Sequence, residues 1–106
     1  MKDKTIDRIR RFNIDRDWVK FNTPSNLAKT IVLEAAELLE CFQWDDKHFD
    51  EEHVREELAD VIMNCQNMLD CFGYDPDEIV NMKMNQNEAK YPVEKARGKN
   101  DKYDKL

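Results

Sequence analysis

Two pairs of acidic side chains have the spacing that puts both members of a pair on the same face of a helix. They are Glu34 with Glu37 and Glu57 with Asp60, and each pair lies in an apolar run of helical periodicity. Residues three positions apart are neighbours on a helix surface. If the two helices pack together, four carboxylates converge and repel one another unless a positive charge lies between them. The simplest such charge is a hard divalent cation, so we expect Mg²⁺, with Mn²⁺ as the alternative.

The expected cation determines which chemistry such a cluster could do. Mg²⁺ binds a few carboxylates and completes its octahedral shell with water and substrate phosphates. Paired metal ions clamp a phosphate and lower the pKa of a bound water, which gives a hydroxide-like nucleophile near neutral pH. The reaction class that follows is hydrolysis of a phosphoric anhydride.

Other residues have the chemistry to hold the rest of a phosphate-bearing substrate. Lys83, Asn87 and Lys90 recur on one helix face and could grip phosphates that the metal does not hold. The rings of Trp18 and Trp44 could stack on a base. Each set also has an ordinary structural interpretation: acid pairs on solvated faces, lysines on the surface, and a tryptophan that fills the core.

Apolar periodicity predicts four helices that would position these residues. They cover about residues 3–20, 24–44, 53–72 and 76–95. A capping residue followed by proline marks a helix start at 23–24 and at 75–76, Gly73 marks a stop, and Pro92 should end or bend the last helix. The short connections favour an antiparallel four-helix bundle, so the expected fold class is all-α.

Three residue placements within these helices stand out. Glu34 falls inside the apolar stripe of its helix, a local contradiction of the kind found at functional sites. Asn64 and Asn67 continue the polar stripe of the second acid pair. Trp18 lies off the apolar stripe of the first helix, so its ring is available to another surface.

Length and composition indicate one small helical domain. The chain has 106 residues, of which 41% are hydrophobic and 38% charged, with two glycines and three prolines. We expect a single domain over residues 1–97 and a polar tail over 98–106. Because a chain this short buries a modest core, assembly into a homo-oligomer is a natural way to bury more.

Charge and cysteine content narrow the partners and the compartment. The net charge of −6 makes the chain a poor candidate for binding polymeric nucleic acid, which requires neutralisation of phosphates. The three cysteines have no C-x-x-C spacing and fit a reduced, cytoplasmic protein. No segment approaches the ~20 apolar residues of a membrane span, and the charged N-terminus lacks the apolar region of a signal peptide.

The acid pairs and the blocks around them resemble a known family. The two E-x-x-[ED] pairs, Phe-Gln-Trp at 42–44 and Lys-Tyr-Pro at 90–92 are similar to motifs of the MazG-like nucleotide pyrophosphohydrolases. These belong to the all-α NTP pyrophosphatase superfamily. The lead-in, Arg-Asp-Trp at 16–18 and the segment 21–27, is similar to the branch that includes dCTP pyrophosphatases. The resemblance covers nearly the whole chain.

The resemblance implies hydrolysis of a nucleoside triphosphate between its α and β phosphates, which gives a monophosphate and pyrophosphate and serves nucleotide-pool house-cleaning. It implies a homo-oligomer, commonly a tetramer built from dimers. It implies that the four acids bind Mg²⁺ and that one of them orients or deprotonates the attacking water. The implied site residues are Glu34, Glu37, Glu57 and Asp60 at the metal, Trp18 and Trp44 at the base, and Lys83, Asn87, Lys90 and Tyr91 at the phosphates.

Departures from the family pattern leave the base open. Asn22 stands where many relatives have histidine, and Ile9 aligns with a histidine of dCTP-specific relatives. A cytosine preference and a broad dNTP preference are therefore both retained. The competing function is a non-catalytic helical interaction or regulatory module. A carboxylate-bridged di-iron protein is disfavoured because His48 and His53 lie in or beside a charged connection rather than inside the bundle.

Overall fold

The computed structural model describes residues 1–105, and every regular element in that range is helical. The α-helices are α1 (Asp3–Asp15), α2 (Pro24–Glu40), α3 (Glu51–Phe72), α4 (Pro76–Lys90) and the short α5 (Val93–Ala96). Single turns of 3₁₀ helix cover Val19–Phe21 and Tyr103–Lys105. The predicted all-α fold class is confirmed. Each helix in the described range is too short or too polar to span a bilayer.

The chain forms two compact units. The first covers Met1–Gly73, and the second begins at Tyr74. In the first unit, α2 and α3 pack against each other and α1 packs on α3. The second unit contains α4 and α5. The predicted tail at 98–106 and the homo-oligomer remain predictions, and the last residue of that tail lies outside the described residues.

The first unit has a small apolar core and a salt bridge between two of its helices. Ile9 of α1 and Leu27 of α2 are buried. Arg10 of α1 donates hydrogen bonds from Nε and Nη2 to the two carboxylate oxygens of Asp70 on α3, at 3.1 and 2.9 Å. This bidentate contact joins α1 to α3.

The helix ends follow the signals in the sequence. Thr23 Oγ1 accepts a hydrogen bond from the backbone N–H of Asn26 at 3.2 Å, and Asp75 accepts one from the N–H of Asp77 at 3.2 Å. Both caps precede a proline in the first helical turn. Gly73 ends α3 in the left-handed conformation, with φ of 70°, which a residue with a side chain adopts only at a cost. The predicted starts and stop are confirmed.

The first helix is shorter than predicted and ends at Asp15 rather than near residue 20. Asp17 takes φ of 55°, which the periodicity of the sequence does not reveal. The N–H of Trp18 donates to Asn13 O at 2.9 Å, and the N–H of Asp17 donates to Ile14 O at 3.0 Å. This is a Schellman motif, and it turns the chain so that Trp18 leaves the helix.

Three other boundaries also differ from the predicted ones. The second helix ends at Glu40 rather than near Trp44, because the N–H groups of residues 41–43 bond three residues back and tighten the turn. α3 begins two residues earlier than predicted, where Asp50 caps its first turn. α4 ends at Lys90 rather than near residue 95, since Pro92 has no N–H to continue the helix.

Candidate active site

The four predicted acids converge between α2 and α3. Glu34 and Glu37 come from α2, Glu57 and Asp60 come from α3, and one carboxylate oxygen from each lies within 4.8 Å of the others. The spacing of three residues puts each pair on one helix face, and the packing of α2 on α3 brings the two faces together. Glu37 is exposed, and the other three acids are half-buried.

Two of the four acids have a buried oxygen that receives no hydrogen bond within the described range. Glu34 Oε2 and Glu57 Oε2 are buried, and no described residue donates a hydrogen bond to either atom. His53 Nε2 lies 3.2 Å from Glu57 Oε1, where a protonated ring would offset one charge. Buried carboxylate oxygens without donors are costly, and a cation between them removes that cost.

The pKa values of two acids respond to this crowding. Burial raises the pKa of Glu34 above that of an ordinary glutamate, and the charges of Glu37 and Asp60 raise it further. The pKa of Glu57 is also raised, first by a hydrogen bond with the Glu37 carboxyl that favours the protonated form and then by burial. The site therefore takes up either protons or a metal ion, and a donor set made only of carboxylate oxygens fits Mg²⁺ or Mn²⁺.

A groove of about 910 Å³ opens in the first unit beside the acid cluster. Its lining comes from α1, the turn at 16–22, α2 and α3, and it includes Asp60. Asp60 thus belongs to both the cluster and the groove, so a ligand at that end of the groove can reach the cluster. The volume is within the range of small-molecule sites, about 300–1,000 Å³.

Trp18 lines this groove and is about half exposed. It is 47% exposed and packs edge-on against Phe12, with ring centroids 5.6 Å apart and planes at 77°. The guanidinium of Arg16 lies 3.8 Å from the centroid of Phe12 and completes the stack. The Schellman motif and this stack hold the indole in place, although Trp18 is off the apolar stripe of the sequence.

A chain of three asparagines runs along the groove from α1 to α3. Asn13 Nδ2 donates to Ile9 O at 3.2 Å and to Asn67 Oδ1 at 2.9 Å. Asn67 Nδ2 donates to Asn64 Oδ1 at 3.4 Å, and Asn64 Nδ2 donates to the backbone oxygen of Asp60 at 2.9 Å. The polar stripe of the sequence contains Asn64 and Asn67. Asn13 was missed, although its position one turn after Ile9 signals a buried amide.

The amino-acid sequence is similar to known proteins over nearly its whole length. Residues 29–106 match the sequence model of the MazG-like family. The chain belongs to the MazG-like family. It is 33% identical to dCTP pyrophosphatase 1 of Bos taurus over 120 residues, which cover 98% of this chain and 69% of the relative. It is 32% identical to dCTP pyrophosphatase 1 of Homo sapiens over 117 residues, with the same coverage.

A solved structure agrees with this assignment. The crystal structure of a pyrophosphatase from Archaeoglobus fulgidus matches this MazG-like chain with a TM-score of 0.75 and 42% identity. The match covers 84% of this chain and 90% of that one. The predicted enzyme class, a nucleotide pyrophosphohydrolase, is confirmed, and the non-catalytic alternative is disfavoured.

Five further residues of this MazG-like chain were predicted from the sequence to bind the substrate. Trp44 follows α2 and is 89% exposed, which excludes a core-filling role. Lys83, Asn87, Lys90 and Tyr91 belong to the second unit, at and just after α4. There the Tyr91 ring packs edge-on against Tyr103 at 6.3 Å, and Lys90 Nζ lies 5.1 Å from the Tyr103 centroid. Base binding by Trp44 and phosphate binding by the α4 residues remain predictions.

The two histidines differ in their surroundings. His48 Nδ1 lies 2.6 Å from Asp45 Oδ2 in the exposed connection between α2 and α3. His53 lies on α3 beside Glu57. Neither belongs to the group of side chains whose ligand atoms converge.

Proposed function

We propose that this MazG-like enzyme hydrolyses nucleoside triphosphates between the α and β phosphates, producing a nucleoside monophosphate and pyrophosphate. Glu34, Glu37, Glu57 and Asp60 hold Mg²⁺, which Mn²⁺ can replace. The observation that carries the proposal is the convergence of these four carboxylates within 4.8 Å, two of them with buried oxygens that receive no hydrogen bond from the described chain. The dCTP pyrophosphatase relatives support the same reaction class.

We assign different roles to the four acids according to their exposure. When bound, the metal neutralises phosphate charge and makes a water molecule more acidic. Glu34, Glu57 and Asp60 are half-buried and form the fixed part of the ligand set. Glu37 is the exposed member. It is therefore placed to orient the attacking water and to accept its proton.

Further residues are proposed to bind the base and the remaining phosphates. Trp18 stacks on the base in the groove that Asp60 also lines. Trp44 is a second base contact, and the cations and polar groups of α4 bind phosphates that the metal leaves free. The phosphate-binding residues are Lys83, Asn87, Lys90 and Tyr91. The substrate is a single nucleotide rather than a nucleic-acid strand, and pool house-cleaning is the expected role.

We also propose a homo-oligomer, a dimer or a tetramer, in the cytoplasm. Val32, Leu33 and Leu39 of α2 are each more than 60% exposed, while Ile9 and Leu27 are the buried apolar residues of the described chain. Association would bury more apolar surface than one chain can. The three cysteines are free, as in a reducing compartment. Sedimentation velocity tests the assembly, and a monomer at micromolar concentration would contradict it.

A pyrophosphate-release screen over canonical, deoxy and modified nucleoside triphosphates tests the activity. We expect release with Mg²⁺ or Mn²⁺ and none with EDTA. Glu37→Gln and Asp60→Asn should abolish turnover while leaving the helical circular-dichroism spectrum unchanged. Glu40→Gln is the matched control, because it removes one acid from α2 outside the cluster. Full activity in both Glu37→Gln and Asp60→Asn would refute the metal assignment.

A further inference from the structure

The orientation of each amide in the asparagine chain is fixed by the carbonyls at its two ends. Backbone oxygens accept hydrogen bonds and cannot donate, so Asn13 and Asn64 must present Nδ2 to Ile9 O and to Asp60 O. The bond from Asn13 to Asn67 and the bond from Asn67 to Asn64 then follow without conflict. Flipping any one amide would bring two oxygens or two N–H groups together and break at least one of these hydrogen bonds.

In this arrangement, the side-chain oxygen of Asn13 has no hydrogen-bond donor among the described residues. Asn13 Nδ2 uses both of its hydrogens, on Ile9 O and on Asn67 Oδ1. Asn13 is only 8% exposed, and its Oδ1 accepts no hydrogen bond from a residue in the described range. Asn13 also lines the groove that contains Trp18 and Asp60. Because Asn13 lines the groove, an N–H group of a ligand there can donate a hydrogen bond to this oxygen.

We propose that Asn13 reads the nucleobase, its Oδ1 accepting a hydrogen bond from a base N–H while Trp18 stacks on the ring. This inference rests on the proposed function, since the groove shares Asp60 with the metal cluster. Every nucleobase carries N–H groups, but at different positions on its edge. Because the amide chain holds Oδ1 in one place, only bases whose N–H reaches that place gain the bond. Asn13 is thus a specificity-determining residue.

The first test compares kcat/KM on dCTP, dTTP, dATP and dGTP for three proteins: the wild type, Asn13→Leu and Asn67→Leu. In Asn13→Leu, we expect the ratio between the best and the worst base to fall on the order of tenfold. Asn67→Leu removes one partner of the Asn13 amide, but Nδ2 still donates to Ile9 O and Oδ1 keeps its orientation, so the ranking of bases should persist. An equal loss on all four nucleotides in Asn13→Leu, with an unchanged ranking, would overturn the inference. A wild type without base preference would overturn it as well.

The second test separates base reading from hydrolysis. Calorimetry measures binding of the four deoxynucleoside monophosphates, which requires no turnover. If hydrolysis is absent but the wild type distinguishes the monophosphates and Asn13→Leu does not, the proposed reaction fails and the base-reading role stands. Equal affinities in the wild type, or the same preference in both proteins, would overturn that role.

A wild-type measurement covers the case in which Asn13→Leu fails to fold. Difluorotoluene deoxynucleoside triphosphate has the shape of dTTP but no base N–H. We expect kcat/KM on the analogue to be about tenfold below that on the best of the four natural nucleotides, because the analogue cannot donate to Asn13 Oδ1. Equal values for the analogue and the best natural nucleotide would overturn the inference.

Discussion

Glu34→Gln removes one half-buried carboxylate from the acid cluster and should change how Mg²⁺ affects the Tm of the protein. In the metal-free wild type, the four acids repel one another and Glu34 Oε2 receives no hydrogen bond from the described chain. The amide introduced by Glu34→Gln would carry no charge and could donate to a neighbouring carboxylate. Without metal, the variant should therefore unfold at a higher temperature than the wild type.

With Mg²⁺, the order should reverse. The four acids converge only in the folded chain, so Mg²⁺ binds the native state and stabilises it by mass action. At about 100 times its Kd, this stabilisation is about 2.7 kcal/mol. For a chain of this length, that corresponds to a rise in Tm of about 10 °C or more. Glu34→Gln lacks one charged ligand and should lose most of the rise.

The assay is thermal unfolding followed by circular dichroism, in EDTA and in increasing Mg²⁺ at constant ionic strength. Glu40→Gln is the charge-matched control on the same helix and should keep the full Mg²⁺ response. If Glu34→Gln shows the same Mg²⁺ response as the wild type, Glu34 is not a ligand of the metal. A lower Tm for Glu34→Gln than for the wild type in EDTA would show that the four acids do not destabilise the metal-free fold.

Four further outcomes are expected, the first two from the same pair of acids. The raised pKa values of Glu34 and Glu57 mean that both acids take up protons earlier than ordinary glutamates as pH falls, so Mg²⁺ affinity by calorimetry should drop over that range. The metal-free fold binds more protons there than the unfolded chain, so its stability should rise as pH falls, and a flat Tm in EDTA would contradict this. Trp18→Ala should raise KM about tenfold through lost stacking, with kcat little changed, and an unchanged KM in steady-state kinetics would exclude base stacking by this residue. Gly73→Ala should lower the unfolding free energy in urea by about 1–2 kcal/mol, because φ of 70° strains any side chain although no atom lies within 4 Å of the added Cβ; Gly98→Ala, in the C-terminal segment, gives a comparison at a similar φ.

Local rules were enough to predict the acid cluster and most helix ends. The spacing within each acid pair fixes a shared helix face, and the apolar stripes turn those faces toward each other. Thr23, Gly73 and Asp75 act through neighbouring backbone groups, so their roles can be read from a short stretch of sequence. These features depend on few residues at short range.

The groove could not be predicted in the same way. The left-handed conformation of Asp17 closes α1 early, and a periodic pattern cannot show where a helix gives way to such a turn. The position of Trp18 in the groove follows from that turn. The orientation of the Asn13 amide depends on Asn67, which lies on another helix. It is therefore defined only when α1 packs on α3. The shape of the groove thus depends on a local turn and on contacts between helices, which the periodicity of the sequence does not show.

The most direct test of the central claim is the product pattern of a single turnover, followed by phosphorus NMR. With Mg²⁺ and a deoxynucleoside triphosphate, we predict equal amounts of monophosphate and pyrophosphate, and no products with Asp60→Asn. Formation of a nucleoside diphosphate and phosphate would contradict the account, as would undiminished turnover by Asp60→Asn.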